Sequence, residues 1–141
     1  MHEEIIRACT ALSVAYARFV DFQDYESFVA LFTEDAELDL GFVLHGRAAI
    51  RKSMAKRPGE LRSRHVLSNI HIDVLDADHA QGISYLTLYR HIGPESLLSP
   101  PIDQVTPAAV GHYSDRFRRM EAGWRIAARS LSLAFRDPSQ F

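Results

Sequence analysis

The chain has 141 residues, 47% of them hydrophobic and 24% charged, which suits one domain with a real core and excludes a disordered chain. Sixteen Lys plus Arg against eighteen Asp plus Glu leave a formal net charge of −2, so no overall field favours nucleic acid or an anionic membrane as partner. Cys9 is the only cysteine, which excludes an internal disulfide and a cysteine metal cluster.

The first element predicted is an amphipathic helix from Glu3 to Val20, because Ile5, Ile6, Cys9, Leu12, Tyr16, Phe19 and Val20 recur at three- and four-residue steps. Cys9 lies on that apolar side, where a buried, inert thiol is expected. Acids near the start and Arg7 within the pattern argue against a secretory signal, and no stretch reaches membrane-spanning length, so a cytoplasmic location is expected. A second helix is predicted from about Asp24 to Phe32, with Asp24 as N-cap. The run AELDLGFVL then alternates as a strand or hairpin, and GRAAIRKSMAKR reads as a third helix stopped by Pro58-Gly59.

After Pro58-Gly59 the period changes to two. Val66, Ser68, Ile70, Ile72 and Val74 are expected on one strand face, with His65, Leu67, Asn69, His71 and Asp73 on the other. Further strands are predicted over Gln81–His91, Ala108–Met120 and Trp124–Phe135, joined mostly by short turns and therefore pairing as an antiparallel meander. The exception is GPESLLSPPIDQVTP, residues 93–107, which holds four of the six prolines and reads as a loop and candidate lid. The order predicts an α+β fold over residues 1–141 as a single domain, three helices on one face of a strongly curved sheet.

The segments FVDFQDYESFVALFTEDAELDLGFVLHGRAAIR, RHVLSNIHIDVLDADHA and GHYSDRFRRMEAGWRIAARSLSLAF resemble SnoaL-like members of the nuclear-transport-factor-2-like (NTF2-like) superfamily, over nearly the whole chain. The resemblance implies a cone enclosing one small-molecule pocket. Fold alone does not give function, because the superfamily includes dehydratases, isomerases, polyketide cyclases, epoxide hydrolases, dioxygenase small subunits and noncatalytic members. Scytalone dehydratase, hexachlorocyclohexane dehydrochlorinase and bile-acid dehydratase share an Asp–His dyad. Asp21 resembles the dyad aspartate at the end of the first helix, and His65, in the Arg64-His65 pair, resembles the dyad histidine. Tyr16 and Arg129 fall where such lyases place polar pocket residues. The Asp-Arg-Asp arrangement of the epoxide hydrolases and the acid–tyrosine pair of steroid isomerases are not evident.

A histidine oriented by a carboxylate can take and return a proton near neutral pH. Arg129 and the Tyr16 hydroxyl would stabilise charge on the substrate or help a hydroxyl leave. Asn69 is expected to shape its strand or line the pocket, and Phe19, Phe42, Tyr85 and Trp124 to supply apolar wall. The resulting expectation is a cofactor-independent, metal-independent lyase of dehydratase type acting on a small hydrophobic, cyclic molecule, in a homo-oligomer (dimer or trimer). Bland readings stand beside it. Asp21 also suits a helix-ending turn, His65 a core histidine bonded to backbone, and Arg129 an ion-pair partner of a sheet carboxylate. A noncatalytic ligand-binding or assembly module, an isomerase and a cyclase are the alternatives. His45, His71, His79, His91 and His112 lack a paired helical spacing for metal. Arg116, Arg118 and Arg119, bracketed by Asp115 and Glu121, read as a solvated sheet face.

Overall fold

Apolar residues on one stripe make the first helix and bury it. In the computed structural model, which describes residues 2–103 and 105–141, α1 (His2–Asp21) buries Ile5, Cys9, Leu12, Tyr16, Ala17 and Val20. Glu3 and Glu4 in its first turn and Arg18 in its last complement the helix dipole. The helix stops because Gln23 takes a left-handed conformation (φ 59°). Its amide then donates to Val20 O (3.3 Å), and that of Asp24 donates to Phe19 O (2.8 Å), the paired bonds of a Schellman cap. Asp24 in turn caps α2 (Tyr25–Val29), accepting from the Ser27 amide at 3.3 Å.

The second helix is shorter than the periodicity predicts. Phe32 opens β1 (Phe32–Asp39) instead of closing α2. Its partner is Ile126, and both side chains are fully buried, so tertiary pairing outweighs the local helical pattern. A turn at Gly41 (φ 99°) leads to β2 (Val43–His45) and α3 (Gly46–Ala55). Four longer strands follow, β3 (Leu61–Val74), β4 (His79–Ile92), β5 (Ala109–Met120) and β6 (Gly123–Arg136), then a 3-10 turn at Pro138–Gln140.

Among the described residues these strands form one six-stranded sheet, β2-β1-β6-β5-β4-β3. The meander β3 to β6 is antiparallel as expected, whereas β1 runs parallel to β6, making the sheet mixed. The three α-helices pack on this sheet, which is not closed, and α1 lies chiefly against β3. This is the α+β arrangement expected from the order of elements, three helices on a mixed sheet.

One irregularity changes which residues face inward. The β3–β4 register slips between Ser68 and His71, and Asn69 sits in the left-handed region at φ 50°, which is a β-bulge. Before the bulge Ser63 and Leu67 face α1. After it the extra residue shifts the phase, so Ile70, Ile72 and Val74 pack into the same core. The uninterrupted alternation expected from the sequence is therefore corrected. His65 shares the inner face with Ile72, while Val66 (50% exposed), His71 and Asp73 are turned outward.

Outward-facing pairs run in rows across the strands. Val66, Thr87, Val110 and Phe135 are successive partners in one row. Residues 96–100 of the prolyl segment lie against β3. Arg62 Nε donates to Ser96 O (2.9 Å), Arg62 Nη1 to Pro100 O (2.8 Å) and Arg64 Nη2 to Leu97 O (2.8 Å). The candidate lid is thus strapped to the sheet by two arginines. Among the described residues no helix is long and apolar enough to cross a membrane.

The bulge is testable through backbone preference. Asn tolerates the left-handed region, Gly does so at no steric cost, and a β-branched residue does not. Asn69→Gly is expected to change unfolding free energy by no more than about 0.5 kcal/mol, and Asn69→Val to lower it by about 1–3 kcal/mol. Equal stability of the two variants in urea would contradict the assigned geometry.

Candidate active site

The cap that ends α1 also aims Asp21 at β3. Gln23 Nε2 donates to Gly59 O (3.2 Å) and Leu61 O (3.1 Å), tying the end of the helix to the start of that strand. Period two then brings Ser63 and His65 to the helix side. Ser63 Oγ donates to Asp21 Oδ1 (2.9 Å), the His65 amide donates to Asp21 Oδ2 (2.9 Å), and His65 Nδ1 meets Asp21 Oδ1 at 2.6 Å. The side chains of His65 and Asp21 are 11% and 7% exposed. An ionised carboxylate only accepts, so a neutral ring in this contact carries its proton on Nδ1 and leaves the Nε2 lone pair unused. Among the described residues Nε2 has no hydrogen-bond partner.

Tyr16 and Arg129 belong to a second, deeper cluster. Arg129 forms a bidentate pair with Asp115, its cross-strand partner, through Nε to Oδ1 (2.7 Å) and Nη2 to Oδ2 (2.8 Å), and Nη2 also donates to Ser13 Oγ (2.8 Å). Neither member of the pair is appreciably exposed. The guanidinium lies between two aromatic rings, 4.3 Å from the Tyr16 centroid and 4.2 Å from that of Tyr113, a doubled cation–π contact. Burial works against the Arg129 charge, but Asp115 outweighs it and the group is held more firmly protonated than usual. Burial is also the main reason that the Tyr16 and Tyr113 phenols are pushed up, so both stay neutral, although Arg129 opposes the rise. Nη1 of Arg129 is buried without a partner, a rare condition for a charged donor. Nearby Cys9 is inert as expected, its thiol pushed up to about 12 by burial and by Asp115.

The remaining candidates are dispersed. Phe19 packs partly buried against the core with the Arg18 guanidinium 5.0 Å above its ring. Asn69 is the exposed bulge residue. Phe42 is 57% exposed beside the Gly41 turn, and Tyr85 is 49% exposed on the outer face, paired with Ser68 and His112. Trp124 stands at the start of β6, whereas the row containing His65 continues through Leu88 and Ala109 to Arg136 at its end. The structure therefore brings Asp21 to His65 and Tyr16 to Arg129, and does not bring Phe42, Tyr85 or Trp124 to the dyad. Sequence reasoning missed Ser63, Tyr113 and Asp115. Period two was a usable signal for all three: Ser63 is two residues before His65, and Asp115 alternates with buried Tyr113 and Phe117. Arg116 and Arg119 lie on the exposed face expected of the basic run, whereas Asp115 beside them points inward.

A hollow of about 690 Å³ opens on the outer side of the sheet, where His71, Asp73, Gln81, Ser114 and Arg116 help line it. It lies on the opposite side of the sheet from the Asp21–His65 contact. A smaller one of about 250 Å³, largely apolar, lies where Ile102 and Val105 meet Arg62, Arg64 and Tyr89. Among the described residues no group of three or more His, Cys, Asp or Glu is placed to hold a metal ion.

The Arg129–Asp115 pair predicts a steep cost for removing one charge alone. Asp115→Asn is expected to cost about 3–5 kcal/mol in urea unfolding, and Asp115→Leu combined with Arg129→Met to recover most of that loss. A single-substitution loss below about 1 kcal/mol would contradict a tightly coupled buried pair.

No curated protein matches the chain in sequence. Solved structures share its fold. A single-substitution variant of Rv3472, a protein of unknown function from Mycobacterium tuberculosis, is 27% identical, with 99% of this chain and 76% of that one covered and a TM-score of 0.80. A provisionally assigned scytalone dehydratase from Novosphingobium aromaticivorans is 23% identical, covering 95% and 87%, with a TM-score of 0.79. A provisionally assigned aromatic ring hydroxylase from the same organism is 24% identical, covering 94% and 90%, with a TM-score of 0.76. These likenesses carry the fold, and the different activities named among them leave chemistry to the site. The SnoaL-like domain model matches residues 2–130, and the chain accordingly belongs to the SnoaL-like family of the NTF2-like superfamily.

Proposed function

We propose that the chain is a cofactor-independent lyase that removes water from a small hydrophobic, cyclic substrate. The observation that carries the reading is the 2.6 Å contact between His65 Nδ1 and Asp21 Oδ1, with Nε2 left unpartnered. Nε2 would take a proton from a carbon next to a carbonyl. The electron pair of that C–H bond becomes the new C=C bond as the bond to the β-hydroxyl breaks. The imidazolium returns its proton to the departing oxygen, so that water leaves and His65 is restored. Asp21 holds the tautomer and stabilises the transient imidazolium without changing protonation itself.

Tyr16 and Arg129 enter this reading as the polar backing of the site. Arg129 brings a buried charge already balanced by Asp115, with Nη1 unpartnered among the described residues, and acts in this reading as a fixed positive field behind the site and not as a group that touches substrate. Placing such a charge in a dry interior strengthens its field relative to water. Ser63 adds no chemistry of its own. Sharing Asp21 Oδ1 with the histidine, it keeps the carboxylate from rotating away.

The test is turnover on a panel of cyclic β-hydroxy ketones, followed by the appearance of the conjugated enone in the ultraviolet. On any member that is dehydrated, His65→Gln is expected to lower kcat by about 10²–10⁴-fold and Asp21→Asn by a comparable factor, with thermal unfolding close to that of the parent. Full activity of His65→Gln would sink the lyase reading. A folded protein that binds panel members without converting any would favour the noncatalytic ligand-binding alternative.

A further inference from the structure

Two arginines flank the dyad, and neither is matched by a carboxylate among the described residues. Arg90 is the cross-strand partner of Ser63, as Leu88 is of His65. Partners in register share a face, so Arg90 projects from the same inner face as the dyad. A diagonal neighbour in a sheet lies roughly 7–8 Å away, within the reach of an arginine side chain. Arg57, just past the C-terminus of α3, approaches from the helix side. Its Nη1 donates to Val20 O and to the Tyr25 hydroxyl, both at 3.3 Å, which places the guanidinium beside the residue preceding Asp21. Both side chains are half-buried, and Arg90 makes no hydrogen bond or ion pair among the described residues.

The surroundings of Arg90 sharpen this. Its guanidinium carbon lies 5.2 Å from the centroid of the Phe141 ring, which is 59% exposed, so an aromatic surface stands at the same opening. The turn that carries Phe141 is held in place by the Asp137 amide donating to Ala108 O (2.8 Å), and the Ala108 amide donates to Leu88 O (2.7 Å). Burial and the neighbouring Arg57 both lower the Arg90 pKa. Like charges drawn together in a half-buried place are unfavourable until an anion joins them.

We propose that Arg57 and Arg90 form an anion subsite beside the Asp21–His65 pair, and that the substrate carries a carboxylate remote from the carbon His65 deprotonates. A guanidinium fork fits a carboxylate in plane through two hydrogen bonds, and the Phe141 ring offers stacking surface to the ring system bearing it. This rests on the lyase reading for the role of His65, but the subsite is a statement about binding and can be tested without turnover. The same two cations would exclude cationic analogues of equal shape.

The experiment uses the full chain with 2-naphthoate and its neutral isostere 2-naphthamide as probes. Binding is followed by titration calorimetry and by the 15N-edited signal of the Arg90 Nε–H group, assigned by its loss in Arg90→Gln. The carboxylate is expected to bind at least about tenfold more tightly than the amide and to shift the Arg90 signal. Arg90→Gln is expected to erase that preference. Because Arg90 makes no hydrogen bond or ion pair among the described residues and only an exposed contact with Phe141, this variant should unfold close to the parent's temperature, and Arg57→Gln serves as the second variant. His65→Gln should keep the carboxylate preference, which separates failure of the subsite from failure of the lyase reading. Equal binding of the two probes, no shift at Arg90 with millimolar naphthoate, or an unchanged preference in Arg90→Gln would each overturn the proposal.

Discussion

Everything at the site depends on where one carboxylate is held. Asp21 stands at the last position of α1, and all three of its hydrogen bonds come from two residues of β3, Ser63 and His65. A helix end and an edge strand have no covalent reason to stay in register. Their alignment is imposed by the left-handed turn at Gln23 and by the two bonds its side chain makes to the start of β3. The same residue that ends the helix thus sets the distance between the two halves of the dyad. The hydrogen bond to the carboxylate sets the tautomer of the ring, and three contacts from β3 hold Asp21 in place to make it.

The two polar clusters of the inner face have different electrostatic character. Around Asp21 the partners are a hydroxyl, an amide and a titratable ring, with slight solvent access. Around Arg129 the partners are a full countercharge, a hydroxyl and two aromatic faces in a dry interior. The first arrangement leaves the imidazole Nε2 without a partner among the described residues. The second ties up two full charges, either of which alone would be an uncompensated buried charge. In the proposed reading proton transfer accordingly falls to His65 and fixed polarity to Arg129. Buried ion pairs are a weak source of net stability, but they strongly penalise alternative registers, and a direct Asp115–Arg129 cross-strand pair specifies how β5 meets β6.

Much of this was legible in the residues before the coordinates. Three helices, a long antiparallel meander, the Asp24 cap and the strand starting before His65 all follow from periodicity and turn chemistry, and the Asp21–His65 partnership follows from the family resemblance. The errors arose where a single residue altered phase or where distant partners decided the outcome. Asn69 looks like an ordinary strand residue, and only the positive φ reveals that it is an insertion that turns the rest of β3 over. Phe32 fits a helical stripe, and only its pairing with Ile126 shows it to be a strand residue. Asp115 sits beside a basic run, which hides that alternation points it inward. Aromatics were the poorest guide: Tyr85, Phe42 and Trp124 satisfy the composition of a pocket wall, but composition does not encode which face or which end of a curved sheet a residue occupies.

The central claim is that Asp21 fixes His65 with its proton on Nδ1 and a free lone pair on Nε2, and the imidazole 15N shifts of His65 measure this directly. In the neutral ring of the wild-type protein the account predicts a protonated Nδ1 and a bare Nε2, with that assignment weakened or reversed in Asp21→Ala. A wild-type ring protonated on Nε2 with Nδ1 bare would contradict it, because such a histidine could not donate to Asp21 or accept a proton from a substrate at Nε2.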